Sequence, residues 1–220
     1  MHITEGALSN TPEGIAILVG GTLLSGAATA YALWRMEPEE VPRVALLSAA
    51  FFVATLIHVP VGPAHVHLVL NGLIGLLLGW AALPAILVGL LLQAIFFGYG
   101  GLTTLGINTF TMAAPALICC ALFRSALGTK NLLWIFVLGL VVGAAAIVLS
   151  AMILAAALIF SAPGLRPMAF LHLGTSGILS IVEGVVTGSA LVFLRQVKPE
   201  LLGHSDMIRP AEAEMPASAP

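Results

Sequence analysis

The sequence predicts an all-α integral membrane protein of about seven transmembrane helices. Three observations lead there. Of its 220 residues 60% are apolar and 8% charged, with a mean hydropathy of +1.09, so polar surface is too scarce to cover a water-soluble globule of this size. Apolar stretches approaching the roughly 20 residues that cross about 30 Å of hydrocarbon recur along the whole chain. The basic residues, finally, sort almost entirely to one side of a seven-span arrangement.

The expected spans run from about Glu13 to Trp34, Arg43 to Val59, Val66 to Ala81, Pro84 to Tyr99, Ile107 to Ser125, Leu132 to Phe160 and Phe170 to Val197. The first is rich in Gly, Ala, Ser and Thr, and places Gly21, Ser25 and Thr29 at four-residue spacing. Small residues so spaced let helix backbones approach where lipid offers no hydrophobic drive, either within the bundle or toward another membrane subunit. A proline and glycine turn in HVPVGPAHVHLVLNG breaks the second span from the third. The third and fourth are short; Gly75 and Gly79 repeat the small-residue spacing. The fifth follows the glycine-rich stretch FFGYGGLTTLGIN, and the sixth carries Gly139 and Gly143 and is long enough to tilt strongly. The seventh holds Glu183, a carboxyl that within a bilayer must be protonated, paired or at a cavity, and Gln93 in the fourth is read with it as a structural hydrogen-bonding group.

Arg35, Arg43, Arg124, Lys130, Arg195, Lys198 and Arg209 lie on one side of this arrangement and Arg166 alone on the other. Cytoplasmic loops retain Lys and Arg, so the N-terminus is expected outside and the C-terminus inside, in the inner membrane of a bacterium. Residues 1–198 form one polytopic unit, and 199–220, polar and proline-bearing, a disordered cytoplasmic tail. The start, Met1 to Glu13, is mixed and carries two glutamates, unlike a signal peptide, so Met1 is expected at the mature terminus. Cys119 and Cys120, adjacent in an apolar run, read as small buried hydrophobes.

Five of the six histidines, His2, His58, His65, His67 and His172, fall at the outer face. Imidazole is a common ligand for borderline divalent metals. In Met1-His2 the terminal amine, the deprotonated amide of His2 and its imidazole δ nitrogen can close a five- and a six-membered chelate ring on one ion. A further imidazole from HVH would complete a square-planar set suited to Ni(II) or Cu(II) and open to low-spin Co(II), but not to tetrahedral Zn(II). His67, further into the expected third helix than His65, is the choice. Asn71, one turn beyond His67 in that helix, would orient its ring. Asn108, at the start of the fifth span, His65 and Glu5 are candidates for supporting the ligands or gating access.

Three stretches, MHITEG at the start, PVGPAHVHLVLNG between the second and third spans and FFGYGGLTTLGIN before the fifth, resemble the CbiM/NikM family, most nearly its cobalt-type CbiM branch. These are metal-capturing membrane subunits of energy-coupling-factor importers for cobalt and nickel. The resemblance covers nearly everything up to the tail. It implies seven helices with the first residues folded back into the bundle, and a metal held by Met1, His2 and His67. His65 departs from the family pattern, where that position is associated with a small hydroxyl residue. The cargo implied is Co(II), with Ni(II) as the alternative, and no permanent cofactor. Partners implied are a CbiQ-like coupling subunit, CbiO-like ATPases and a small CbiN-like membrane subunit, in a lipid bilayer and without nucleic acid. The chain has no G-x-x-x-x-G-K-[ST] loop of its own, so it is expected to be no enzyme and to rely on a separate ATPase.

A different class is raised by Gly174-Thr175-Ser176-Gly177, which fits the GxSG of rhomboid intramembrane serine proteases. Such a serine needs a histidine from a later helix, and here only His204 of the tail follows it.

Overall fold

A computed structural model describes residues 2–61 and 64–203. The helices are α1 (Pro12–Arg35), α2 (Val41–Ala54), α3 (Asn71–Leu78), α4 (Ala82–Phe97), α5 (Leu105–Phe123), α6 (Leu132–Ser161), α7 (Arg166–Val197) and α8 (Glu200–Gly203). Between α2 and α3 lies an antiparallel hairpin, β1 (His58–Val61) and β2 (Ala64–His67). Among the described residues five stretches are long and apolar enough to cross a membrane: Pro12–Arg35, Asn71–Phe97, Leu105–Gly128, Leu132–Ser161 and Pro163–Val197. About seven were expected, and the difference lies in two places. Helix α2 has only 14 residues, and the stretch Asn71–Phe97 turns back on itself.

That reversal can be traced through contacts. At the end of α3 the Leu77 carbonyl accepts a hydrogen bond from Arg43 at the start of α2. At the end of α4 the Phe97 ring lies 5.6 Å from Phe52 near the end of α2. Helix α3 therefore descends and α4 returns. The turn is made at Gly79, whose φ of +57° is open to glycine and whose missing side chain admits Arg124, 3.0 Å from where a Cβ would stand. Trp80 in the same turn meets Tyr31 from the last turns of α1 edge to face. One end of the bundle thus gathers Arg35, Arg43 and Arg124. The other end gathers residues 2–11, the hairpin and the loop after α4.

Local chemistry explains the element boundaries. Helix α1 is started by Thr11, whose hydroxyl accepts from the Gly14 amide, followed by Pro12 and Glu13, with Arg35 in the last turn. Its buried stripe is Gly14, Gly21, Ser25, Thr29 and Ala32, so the small-residue spacing serves packing inside the bundle. At Gly21 a Cβ would stand 2.9 Å from the Ile107 Cα of α5. The hairpin replaces residues expected to be helical. Pro60 lacks an N–H for continuing α2 and the flanking valines favour extended backbone, so the second span ends at Ala54 rather than Val59 and the third begins at Asn71 rather than Val66.

Three cores share the interior. One joins α2, α3, α4 and α5 around Phe51, Ile74, Ile86 and Met112. Another joins α3, α6 and the C-terminal end of α7, and takes in Leu202 of α8, whose neighbour Leu201 accepts from Arg43. The folded part therefore continues through Gly203, past the expected boundary at 198; residues 204–220, the rest of the expected tail, lie outside the described residues. The third core, around Ile3, Leu8, Ile107, Leu154, Leu158 and Ala169, anchors the N-terminal segment.

Candidate metal centre

The segment before α1 enters the bundle because two of its side chains are apolar and one partner is polar. Ile3 and Leu8 are fully buried. Asn108 reads the Ile3 backbone completely: its carbonyl accepts from the Ile3 amide at 2.8 Å and its amide donates to the Ile3 carbonyl at 3.0 Å. A third bond ties Asn108 to the Thr104 hydroxyl, which donates to the Gly100 carbonyl. The residue at the head of the fifth span is thus a clamp on the N-terminal segment, and it fixes His2, one residue earlier.

The loop after α4 closes over this segment. Gly100 and Gly101 have φ of +78° and +98°. A Cβ on Gly100 would stand 2.8 Å from Asn108 Nδ2 and 3.5 Å from His2 Cβ; one on Gly101 would stand 2.6 Å from Glu5 Oε2. Glycine is needed at both for conformation and for closeness. Glu5 therefore packs against the loop rather than pointing at the imidazoles.

His67 arrives from the opposite side, on the last residue of β2, paired in register with His58. Its ring lies 4.9 Å from that of His2, centroid to centroid, at 20° between planes; Tyr99 flanks His2 at 6.4 Å. His67 is buried, and its Nδ1 lies 3.0 Å from the Leu68 carbonyl. A carbonyl only accepts, so Nδ1 carries the proton and Nε2 the lone pair. The expectation that Asn71 orients His67 is corrected: His67 is in a strand, and the Asn71 amide donates to the Met112 carbonyl and the Ser150 hydroxyl, both at 3.0 Å. What holds the strand exit is Glu183. Its carboxylate accepts from the amides of Val69 and Leu70 at the start of α3, where Leu70 has a φ of +57° that an L side chain adopts only at a cost of about 1–2 kcal/mol.

The electrostatics favour a neutral His2. Burial, then the positive chain terminus, then His67 and His172, hold its pKa well below the usual histidine value; Gln93 alone opposes. Both ring nitrogens of His2 are buried without a hydrogen-bond partner, and so are both ends of the Gln93 amide and Nε2 of His172. Buried polar atoms are seldom left so. A cavity of about 40 Å³ adjoins His2 and His172.

Of the residues singled out from sequence, the structure joins His2, His67 and Asn108 at one place, sets Glu5 at its rim and sends Asn71 elsewhere. Met1 and the His65 side chain lie outside the described residues. Gln93 and His172 are additional neighbours of His2; the sequence marks His172 only as one of the five histidines at the outer face, and Gln93 as a structural hydrogen-bonding group in the fourth span. Among the described residues no three or more His, Cys, Asp or Glu side chains lie close enough to hold a metal ion. The Ser176 hydroxyl donates to the His172 carbonyl at 2.7 Å in a buried helix face, which is helix packing rather than a protease nucleophile. Cys119 and Cys120 are free and buried.

A family model described as CbiM, cobalt uptake substrate-specific transmembrane region, matches residues 2–201. The chain is 33% identical over 224 residues to the cobalt transport protein CbiM of Sorangium cellulosum, covering 95% of this chain and 97% of that one. Over 127 residues it is 54% identical to a Haemophilus influenzae protein whose name assigns it provisionally to metal transport, covering 58% of this chain and 59% of the relative. Over 135 residues it is 38% identical to the fused nickel transport protein NikMN of Rhodobacter capsulatus, covering 60% of this chain and 38% of the relative. A crystal structure of a truncated transition metal transporter superposes with a TM-score of 0.65 at 25% identity, covering 89% of this chain and 99% of that one.

Proposed function

The chain belongs to the CbiM family of cobalt-uptake substrate-specific transmembrane regions, and from that premise we propose that it is the metal-capturing membrane subunit of an energy-coupling-factor importer for Co(II). The ion is chelated by the Met1 amine, the amide and δ nitrogen of His2, and Nε2 of His67. The observation that carries this reading is the His2–His67 pair, one ring from the N-terminal segment and one from the end of β2, brought to 4.9 Å with both His2 nitrogens buried and unpartnered.

Chelate geometry sharpens the point. The amide nitrogen lies between the amine and the imidazole, so the remaining corner of a square is opposite the amide and adjacent to the His2 ring. With metal–nitrogen bonds of about 2 Å, adjacent imidazoles have centroids roughly 4–5 Å apart and opposite ones roughly 6 Å. The observed separation fits adjacency. The His67 Nδ1–H bond to Leu68 supports its ε nitrogen as donor, as neighbours of metal-bound imidazoles do.

Seven passes are supported by the reversal at Gly79, and the gathering of Arg35, Arg43 and Arg124 at one end supports that end as cytoplasmic, with the metal captured outside at the inner membrane of a bacterium. A CbiQ-like subunit couples the cycle to CbiO-like ATPases, since the chain has no phosphate-binding loop. A small CbiN-like partner acts beside it; the fused NikMN relative extends well past the part this chain matches. Ni(II) is the second reading, favoured by that relative and by a nitrogen set that serves either ion.

The decisive experiment inserts one alanine between Met1 and His2. The insertion enlarges the chelate and displaces the imidazole while the buried Ile3 anchor can still seat. Binding of Co(II), measured calorimetrically on the full chain in detergent, is expected to weaken about 100-fold or more. Undiminished binding at one ion per chain would place the site elsewhere.

A further inference from the structure

Resting on the reading that the ion is chelated at His2, we infer that the cavity beside His2 is a second, weaker metal station, built from His172 and Met168, through which a late first-row divalent ion reaches the chelate. The cavity is lined by His2, Thr4, Leu154, Leu158, Met168 and His172 among others. Met168 and His172 stand one turn apart on α7 and present their side chains to the same face. Nε2 of His172 is buried with no hydrogen-bond partner, and it shares this space with a His2 ring whose two nitrogens are equally unpartnered. Neither nitrogen of His2 nor Nε2 of His172 makes a hydrogen bond that would explain its burial.

The walls select by chemistry. On the α6 side Leu154 and Leu158 are buried and apolar, so the lining side chains that carry donor atoms are the imidazoles of His2 and His172, the Met168 thioether and the Thr4 hydroxyl. Nitrogen with soft sulfur suits cobalt, nickel and their neighbours and is poor for Mg(II) or Ca(II), which take oxygen ligands. About 40 Å³ has room for an ion that keeps roughly two of its waters. The order of exposure sets a direction. Met168 is 47% exposed and Thr4 is exposed, whereas His2 lies inward among Ile3, Leu154 and Leu158. Two protein donors with water bind less tightly than a chelate of main-chain and imidazole nitrogens, so an ion shed of part of its water passes from Met168 through His172 to His2.

The test is kinetic. Cobalt(II) chloride is mixed with the full chain in detergent and capture is followed with a chromogenic metal indicator, for the unaltered chain, His172→Gln and Met168→Leu. A station on the route lowers the barrier in both directions. Both variants are therefore expected to keep one tight ion per chain at unchanged affinity, while association and chelator-driven release slow together by about tenfold for His172→Gln and less for Met168→Leu. Unchanged rates in both variants would overturn the station and leave the chelate standing. Loss of affinity in His172→Gln, with release faster rather than slower, would make His172 a ligand of the chelate itself and overturn the station too. If the alanine insertion after Met1 left tight binding intact, the chelate reading would fall first and the station with it.

Discussion

The seam between α6 and α7 and the end that holds His2 are built from the same small residues to opposite purposes. In the seam, Gly139 faces the Gly188 Cα at 2.5 Å from where a Cβ would be, Gly143 faces the Glu183 carbonyl at 2.6 Å, and Gly184 faces the Leu140 carbonyl at 2.6 Å. These glycines bring two backbones into contact over several turns and present no titratable side chain. Around His2, Gly100 and Gly101 bring a loop over the N-terminal segment, and the enclosed groups include both nitrogens of His2, Nε2 of His172 and the Gln93 amide, buried without hydrogen-bond partners. In a bilayer, close packing is the source of helix association and unpartnered polar atoms are its chief penalty. A region that accepts the penalty is where function is to be sought.

Proton competition is the largest lever on that contrast, because it acts on one region only. Chelation displaces a proton from the Met1 amine and another from the His2 amide, while burial holds the His2 imidazole pKa well below the usual histidine value, so its proton competes little near neutrality. Affinity for Co(II) is thus expected to rise about 100-fold from pH 6 to pH 7, and about tenfold per unit above the ordinary amine pKa near 8. Competition titrations across this range check it; a slope nearer three protons below pH 6.5 would mean that His2 titrates normally. Thermal unfolding should shift little over the same range if the seam governs it.

Single substitutions divide the regions further. His67→Ala is expected to weaken metal binding about 100-fold while leaving the melting temperature within a few degrees of the unaltered chain; calorimetric binding and thermal unfolding in detergent read the two separately. Gly188→Leu does the reverse. A side chain forced against the Phe136 carbonyl, 2.7 Å from the glycine's Cβ direction, separates α6 from α7 and costs roughly 3 kcal/mol or more of stability. A melting temperature unchanged in that variant would mean that the seam does not hold the bundle. Asn108→Ala, at the junction of clamp and site, removes both bonds to Ile3 and is expected to weaken Co(II) binding about tenfold, with a smaller loss of stability. Equal losses in both measurements would make Asn108 merely structural.

Much of this was legible in the chain. Periodicity and length place α1, α5, α6 and α7 to within a few residues, because a long apolar run in a bilayer has few choices besides a helix. The cations mark one end for the same reason, since none is cheap within hydrocarbon. His2, His67 and Asn108 stood out as polar residues near the ends of such runs. The hairpin was misread as helix because its valines are as apolar as the helices beside it, and only Pro60 and its neighbours argue otherwise. Asn71 was assigned to His67 by helical spacing that the strand abolishes.

Composition and the positions of charge and proline by themselves determined that the chain is a helical membrane protein with its cations at the ends of its spans, because hydrocarbon sorts residues by transfer free energy regardless of partner. Only the tertiary structure decided which polar groups meet. Glu183 holds the exit of the hairpin from more than a hundred residues away, Gln93 and His172 join His2, and Asn71 leaves His67 for Met112 and Ser150. Such pairings depend on directional hydrogen bonds across helices, whose register is set by how glycines and large side chains interlock and is written in no single stretch of sequence.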